Sequence, residues 1–331
     1  MWPVTCLSPV RAHPTRAKLR APSAAVVAAA AAILWSGEAS AHCFVGARFF
    51  PATVAIEDPC VADELSLPTI SLFRNGDDPS ANELDISAEF SKRLTYNLGV
   101  TIGANWTQLT PPGGPSVSGF QNLETLVKFQ FLTVPEHEFV MSAGFGVEWG
   151  NTGSTAVGAE KFTTITPTLF VGKGFGDLPD QFGWMRALAF TAQVGLAVPV
   201  SPTKVTVDPD TGNVDTENQP QFLRYGGTLQ FSMPYLNSNV VDLGLPDFFN
   251  HLVPIVEAKF QSPVPSNFSA AMTTGTINPG VIWVGGKFQV ALEAIVPINR
   301  ASGTGVGVAL QFHAYLDDLF PTTIGKPIFG R

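Results

Sequence analysis

The first chemistry this sequence offers is a set of charged side chains that recur on one side of an alternating pattern. The acids are Glu83, Asp85, Glu89, Glu124, Glu138, Glu148, Glu257 and Glu293; the bases are Lys128, Arg224, Lys259 and Lys287. Most sit between apolar neighbours, so they share one face of an extended chain. Charges lining a water-filled bore select ions by sign, and an excess of acids favours cations. The same groups can instead pair across strands and simply fill the interior. Catalysis has weaker support. The glycines of 172–176 end an alternating run and open no long helix, so they form no phosphate cradle. No Cys/His spacing fits zinc. A hydrolase needs a nucleophile and a histidine at one height on one wall, and only His313 falls on a strand with inward parity. His137 and His251 fall in connections. The pairs Asp208–Asp210 and Asp317–Asp318 offer oxygens to a divalent cation, but solvated acids are the stronger reading. No catalytic residue, cofactor or metal ion is expected, and the chain is not expected to be an enzyme.

These groups are positioned by strands. From residue 83 the chain alternates with period two. Leu84, Ile86, Ala88 and Phe90 oppose Glu83, Asp85, Ser87 and Glu89. Leu123, Val127, Phe129 and Phe131 oppose Glu124, Lys128 and Gln130. Phe139, Met141, Phe145, Val147 and Trp149 oppose Ser142, Gly144, Gly146 and Glu148. Eleven such segments reach His313, and a weaker one near 66–74 makes twelve. They run 9 to 14 residues. A tilted membrane-crossing strand needs about 9–11 residues, against about 5–6 for a typical strand of a globular protein. The second face is rich in Gly, Thr, Ser, Asn and Gln with scattered charge, which is the composition of a barrel lumen.

Composition narrows the class. Charged residues are 14% of the 331, well under the roughly 25% of average soluble proteins. Past residue 41 no run of 18 apolar residues occurs, which excludes a helical membrane protein. Residues 1–22 are basic and lack acids, Ser23–Trp35 is apolar, and Ala39-Ser40-Ala41 is a small-x-small cleavage pattern. Residues 1–41 therefore read as an export signal. Its removal takes away Arg11, Arg16, Lys18, Arg20 and Glu38, moving the net charge from −8 to −11. So acidic a chain is no nucleic-acid partner. In an oxidising compartment the remaining Cys43 and Cys60 are expected to form a disulfide. Cleavage after Ala41 would also expose His42, whose amine and imidazole can chelate copper, but the sequence offers no further ligand beside it.

The connections bear on closure. Outer-membrane barrels carry short periplasmic turns and longer external loops. Residues 75–82, 110–119, 151–161, 200–219, 262–275 and 299–305 are loop-like. The alternate connections near Lys92-Arg93, at 134–138 and at Gly285-Gly286 are tight, while 175–186 and 235–251 are longer than this rule expects. Counting the weak first strand gives an even number with both termini on the turn side. Tyr96, Trp106, Trp149, Phe175, Trp283 and Tyr315 near strand ends are expected to form interfacial girdles.

Over about 66–315 the chain resembles Gram-negative outer-membrane β-barrels. Gly307-Val308-Ala309-Leu310-Gln311-Phe312 is similar to their assembly signal, although the chain continues to Arg331. More narrowly, GKGFGDLPDQFGW (172–184), LDDLFPTTIGKPIF (316–329) and the count of twelve look like the barrels of the meta-pathway phenol-degradation family, described as transporters. The resemblance implies an all-β, antiparallel transmembrane barrel in the bacterial outer membrane. Its partners would be outer-membrane lipid, the barrel-assembly machinery and a small solute, hydrophobic or aromatic ones included. The expected organisation is a signal at 1–41, a periplasmic segment at 42–65, the barrel at 66–315 and a periplasmic tail at 316–331. Segment 42–65 would narrow the bore if it entered it. The alternative is a non-conducting structural or adhesion barrel acting through its external loops.

Overall fold

The computed structural model describes residues 42–77, 80–201, 203–207, 214–264 and 272–330. The expected export signal and the acids Asp208 and Asp210 lie outside the described residues.

Alternation becomes pairing. The long strands are β1 (Glu64–Arg74), β2 (Asn82–Arg93), β3 (Leu98–Thr110), β4 (Leu123–Val134), β5 (Phe139–Trp149) and β6 (Thr164–Gly174), then β7 (Leu188–Pro199), β8 (Phe222–Phe231), β9 (Leu252–Pro263), β10 (Thr274–Val284), β11 (Phe288–Pro297) and β12 (Gly307–Tyr315). Each pairs antiparallel with its neighbours in sequence, and β12 pairs with β1. The protein is therefore a closed, all-β antiparallel barrel of twelve strands. Closure pairs each of the twelve long strands on both sides.

The strand faces divide as the period-two pattern requires. Ile102, Val127, Phe145, Leu169, Val194, Leu229, Val256, Leu292 and Leu310 point outward from nine strands and are 40–51% exposed. Together they form an apolar belt around the barrel. On the inner face Ser142, Thr191, Thr228, Glu257, Gln289 and Glu293 are each at most 1% exposed. The pattern fails at specific places. A register shift between Gln130 and Leu132 turns the end of β4 over, so Leu132 rather than Phe131 is exposed on the outside. Tyr315 is no girdle residue: it turns inward, is 1% exposed and donates a hydrogen bond to Gln289 Oε1 at 2.6 Å. The inner face is also not uniformly polar. Val253, Ile255, Ile282 and Ala291 form a buried apolar bed against Val54.

At one end, here the turn end, strands are joined by residues 94–97, 135–138 and 285–287. The two longer connections at this end are helical. A 3-10 segment spans Asp180–Ala187, and helices α1 (Met233–Asn239) and α2 (Asp247–Asn250) lie between β8 and β9. The Ser232 hydroxyl caps α1 by accepting from the Tyr235 N–H. The tail also lies here. After helix α3 (Leu316–Leu319), the Ile328 and Phe329 N–H groups bond the carbonyls of Arg93 and Leu94. At the opposite loop end, Val117–Phe120 extends the sheet beside β3, and Thr203–Val207 pairs with Val214–Asn218.

Candidate functional site: an N-terminal plug and the cavity it bounds

Residues 43–63 run into the barrel from the turn end. A short ribbon, Phe44–Val45 against Arg48–Phe49, begins the segment. The Cys43–Cys60 disulfide joins its two ends. Cys43, Val45, Phe50 and Cys60 pack with Val140 and Ala189 of the wall in one buried cluster. In the chain-entropy picture a loop of this length adds roughly 3 kcal/mol. Replacing both cysteines by serine should therefore loosen the segment by about that amount, seen as faster protease cleavage between residues 44 and 60 while β1–β12 stay resistant. Equal cleavage rates would show that wall contacts alone hold the segment.

An irregular segment inside a barrel brings backbone donors and acceptors that need partners. The inner wall supplies them. Glu257 accepts from the N–H groups of Val54, Ala55 and Ile56 at 2.9, 2.9 and 3.2 Å. Gln193 accepts from Glu57 N–H at 3.1 Å, and Gln130 from Val61 N–H at 3.1 Å. Gln289 donates to the Ala52 carbonyl at 2.6 Å, and Ser142 to that of Pro59. Lys128 donates to Glu57 Oε2 at 3.0 Å and to the Asp58 carbonyl at 2.8 Å. Space is made the same way. A Cβ on Gly172 would lie 2.8 Å from Pro59 Cγ, and one on Gly226 would lie 2.8 Å from Ile56 Cγ2. These inner glycines seat the plug; they do not widen an open bore.

The ribbon is pinned by one buried cation. Arg48, 0% exposed, donates to Glu138 Oε2 at 3.0 Å and to the carbonyls of Ala187 and Arg186 at 3.1 and 2.6 Å. Its guanidinium lies 3.6 Å from the Tyr235 ring centroid. Burial pushes the Tyr235 phenol up to about 12, with the Glu138 hydrogen bond and charge adding to the effect.

The plug bounds a cavity of about 340 Å³ that reaches toward the loop end. Glu89, Glu124 and Glu148 from β2, β4 and β5 face it on one side, and Arg224 and Lys259 from β8 and β9 face it across the bore. Arg224 donates to Gln261, whereas Glu124 and Lys259 are both exposed to the cavity. The other expected pore-lining charges lie elsewhere. Lys128 and Glu257 are spent on the plug, and Glu293 is 1% exposed in the wall beside Asn278. Glu83 and Asp85 do not line the cavity: both sit toward the loop end of β2, where Asp85 accepts from Thr107 at 2.6 Å. Lys287 has inward parity but lies exposed in the turn before β11, where no strand carries it into the bore. Glu257→Gln keeps the shape and removes the charge that three N–H groups share. It should weaken plug docking by roughly 1.5–3 kcal/mol, measured as faster amide exchange at Val54–Ile56. Unchanged exchange there would assign the docking to the apolar bed instead.

Two of the four described histidines, all of which have partners, sit where the two sides of the barrel close. His313 Nδ1 lies 2.8 Å from Ser66 Oγ, across the β12–β1 seam where the two residues pair. Its Nε2 is 3.5 Å from Glu64 Oε2 and makes no hydrogen bond among the described residues. This is a cross-strand polar pair at the closure of the barrel. His42 stacks 4.4 Å from the Tyr315 ring, with Nδ1 at 3.0 Å from Asp317 Oδ1 and Nε2 against Asp318 Oδ2. Burial opposes a charged imidazole here. The Asp317 hydrogen bond and the charges of Asp317, Asp318 and Glu64 outweigh burial and raise the His42 pKa.

Fold and site together define a closed, twelve-stranded barrel carrying an internal N-terminal plug. The chain matches no profile of a known protein family. No curated protein matches it in sequence. Solved structures with a similar fold are outer-membrane barrels. KdgM porin is 10% identical, with a TM-score of 0.44 over 76% of this chain and 98% of that one. NanC porin is 8% identical, with a TM-score of 0.43 over 74% and 97%. The COG4313 outer membrane channel from Pseudomonas putida F1 is 9% identical, with a TM-score of 0.47 over 81% and 99%. Likeness at this level says nothing about what the bore carries; the barrel assignment stands on this chain's own strand pairing. The narrower resemblance to meta-pathway phenol-degradation barrels is not confirmed by any of these matches.

Proposed function

We propose that this chain is an outer-membrane barrel that binds small solutes in its bore and passes them when the N-terminal plug moves. Strands of 9–13 residues and an apolar belt on the outer face fit a hydrocarbon slab and would be poorly hydrated in water. Export by the signal at 1–41 would deliver the chain across the inner membrane and place the turn end, with both termini, in the periplasm. Outer-membrane lipid and the assembly machinery are then its partners.

The observation that carries this reading is the plug itself, with a charged cavity of about 340 Å³ on its loop side. A purely structural barrel has no need of a cavity lined by opposed charges. The lining favours a polar or charged solute. An apolar pocket does exist, but it lies outside the bore, between Trp184, Phe231, Met233 and Leu236. In planar bilayers the wild-type barrel should be mostly closed, with brief cation-selective steps. Replacing Glu124 and Glu148 by Gln should lower the cation-to-anion preference by about threefold. An unchanged preference would remove these residues from the ion path. A heat-modifiable, folded barrel that stays silent even without its plug would favour the structural or adhesion alternative.

A further inference from the structure

We propose that the mature N-terminus forms a copper(II) site in which His42 supplies its α-amine and Nδ1, Asp317 a carboxylate oxygen, and Asp318 the carboxylate that orients the ring. Cleavage after Ala41 frees the His42 amine. Amine and Nδ1 of an N-terminal histidine close a six-membered chelate, so one residue offers two nitrogens. The fold then adds what sequence could not, a third donor from 275 residues away. Nδ1 and Asp317 Oδ1 are 3.0 Å apart. Two donors each about 2.0 Å from one ion and at right angles are roughly 2.8 Å apart. The spacing therefore suits two ligands of a single metal.

Asp318 completes the arrangement from the other side of the ring. A metal-bound histidine usually donates its free N–H to a carboxylate, which fixes the tautomer and ring orientation. Asp318 Oδ2 sits against Nε2 in that role, leaving the Nδ1 lone pair for the ion. All three side chains present ligand atoms within 4.8 Å of one another. A second observation is independent of the histidine. Asp317 is 3% exposed, and its Oδ2 has no hydrogen-bond partner among the described residues, with Arg93 Nη2 at 3.8 Å. A buried carboxylate oxygen left open is costly; an ion at Oδ1 does not fill that gap, but it neutralises the buried charge that Oδ2 shares. The ring is held in advance by Tyr315 at 4.4 Å, Phe44 at 5.8 Å and Phe49 at 6.2 Å. An N,N,O donor set suits the tetragonal preference of Cu²⁺, which also tops the affinity order of the divalent ions. The rival is an ion-pair latch, an imidazolium clamped between two carboxylates with no metal.

The test uses the mature barrel purified from outer membranes, its N-terminus established by mass spectrometry. Copper chloride is titrated against it at neutral pH with glycine as competing chelator, and paramagnetic resonance reads the nitrogen ligands. One equivalent should bind with a two-nitrogen signature. Asp317→Asn should weaken it by at least about tenfold. A glycine inserted ahead of His42 blocks the amine while keeping every side chain, and should abolish the two-nitrogen signature; this variant decides the matter if Asp317→Asn fails to fold. Wild-type binding no tighter than that of His42→Ala overturns the proposal, as does a mature chain that begins elsewhere than His42.

Discussion

Removing residues 43–61 should turn a mostly closed bore into a steady conductor. A twelve-stranded barrel lies between eight strands, which side chains fill, and sixteen, which leave an aqueous channel. Here the filling is the plug more than the wall. The wall groups that hold it are small or retractable once it is gone: Gly172, Gly226, Ser142, Gln193 and Lys128. Step conductance should rise on the order of tenfold over wild type in planar bilayers. The deletion exposes Val253, Ile255, Ile282 and Ala291 inside the bore, and some preparations could fail to assemble for that reason. A milder variant covers that case. Glu257→Ala combined with reduction of Cys43–Cys60 keeps the full chain and releases the plug's three-donor anchor and its covalent tie. It should open often where wild type opens rarely. A folded deletion variant that conducts no better than wild type would show that the closure lies in the loops.

Arg48→Met should release the first turn of the plug. The guanidinium is fully buried, with one carboxylate and two carbonyl partners and an aromatic ring beneath it. Removing one partner of such a pair leaves the other charge buried and uncompensated, at a cost of roughly 3–5 kcal/mol. Glu138 keeps only neutral donors, the Gly176 N–H at 2.9 Å and the Tyr235 hydroxyl. The loss falls on plug docking, because the strand ladders do not involve Arg48. Amide exchange at Phe50, Val54 and Ile56 should accelerate by about a hundredfold or more, while exchange within β1–β12 stays slow. If the whole barrel destabilises together, Arg48 belongs to the folding core of the barrel and not to a separable gate. Glu138→Gln provides the partner measurement: it keeps a hydrogen-bond acceptor and should cost less than Arg48→Met.

What the sequence determined by itself was the wall. Period-two alternation is a local property, set by side chains pointing to opposite faces of each strand, so it separated Ile102, Phe145 and Leu292 outside from Ser142, Glu257 and Gln289 inside without knowledge of any partner. The turn pattern then selected twelve strands over eleven, and β1 pairs with β12 as that count requires. Two cysteines in a chain whose first 41 residues read as an export signal indicated their own bond. The same local rule misled where geometry departed from it: at the Gln130–Leu132 register shift, at Lys287 beyond its strand end, and at Tyr315, which turns inward.

What only the tertiary structure decided was which inward charges face open space and which are already used. Lys128 and Glu257 carry the same parity as Glu124 and Lys259, yet the first pair holds plug atoms 71 and 202 residues away while the second pair faces the cavity. Alternation reports the face a side chain occupies but not what lies opposite. That depends on contacts closed only when the N-terminal segment threads the finished barrel. His42, alone in the sequence, meets Asp317 for the same physical reason: closing β12 against β1 brings the segments that flank the barrel to one rim.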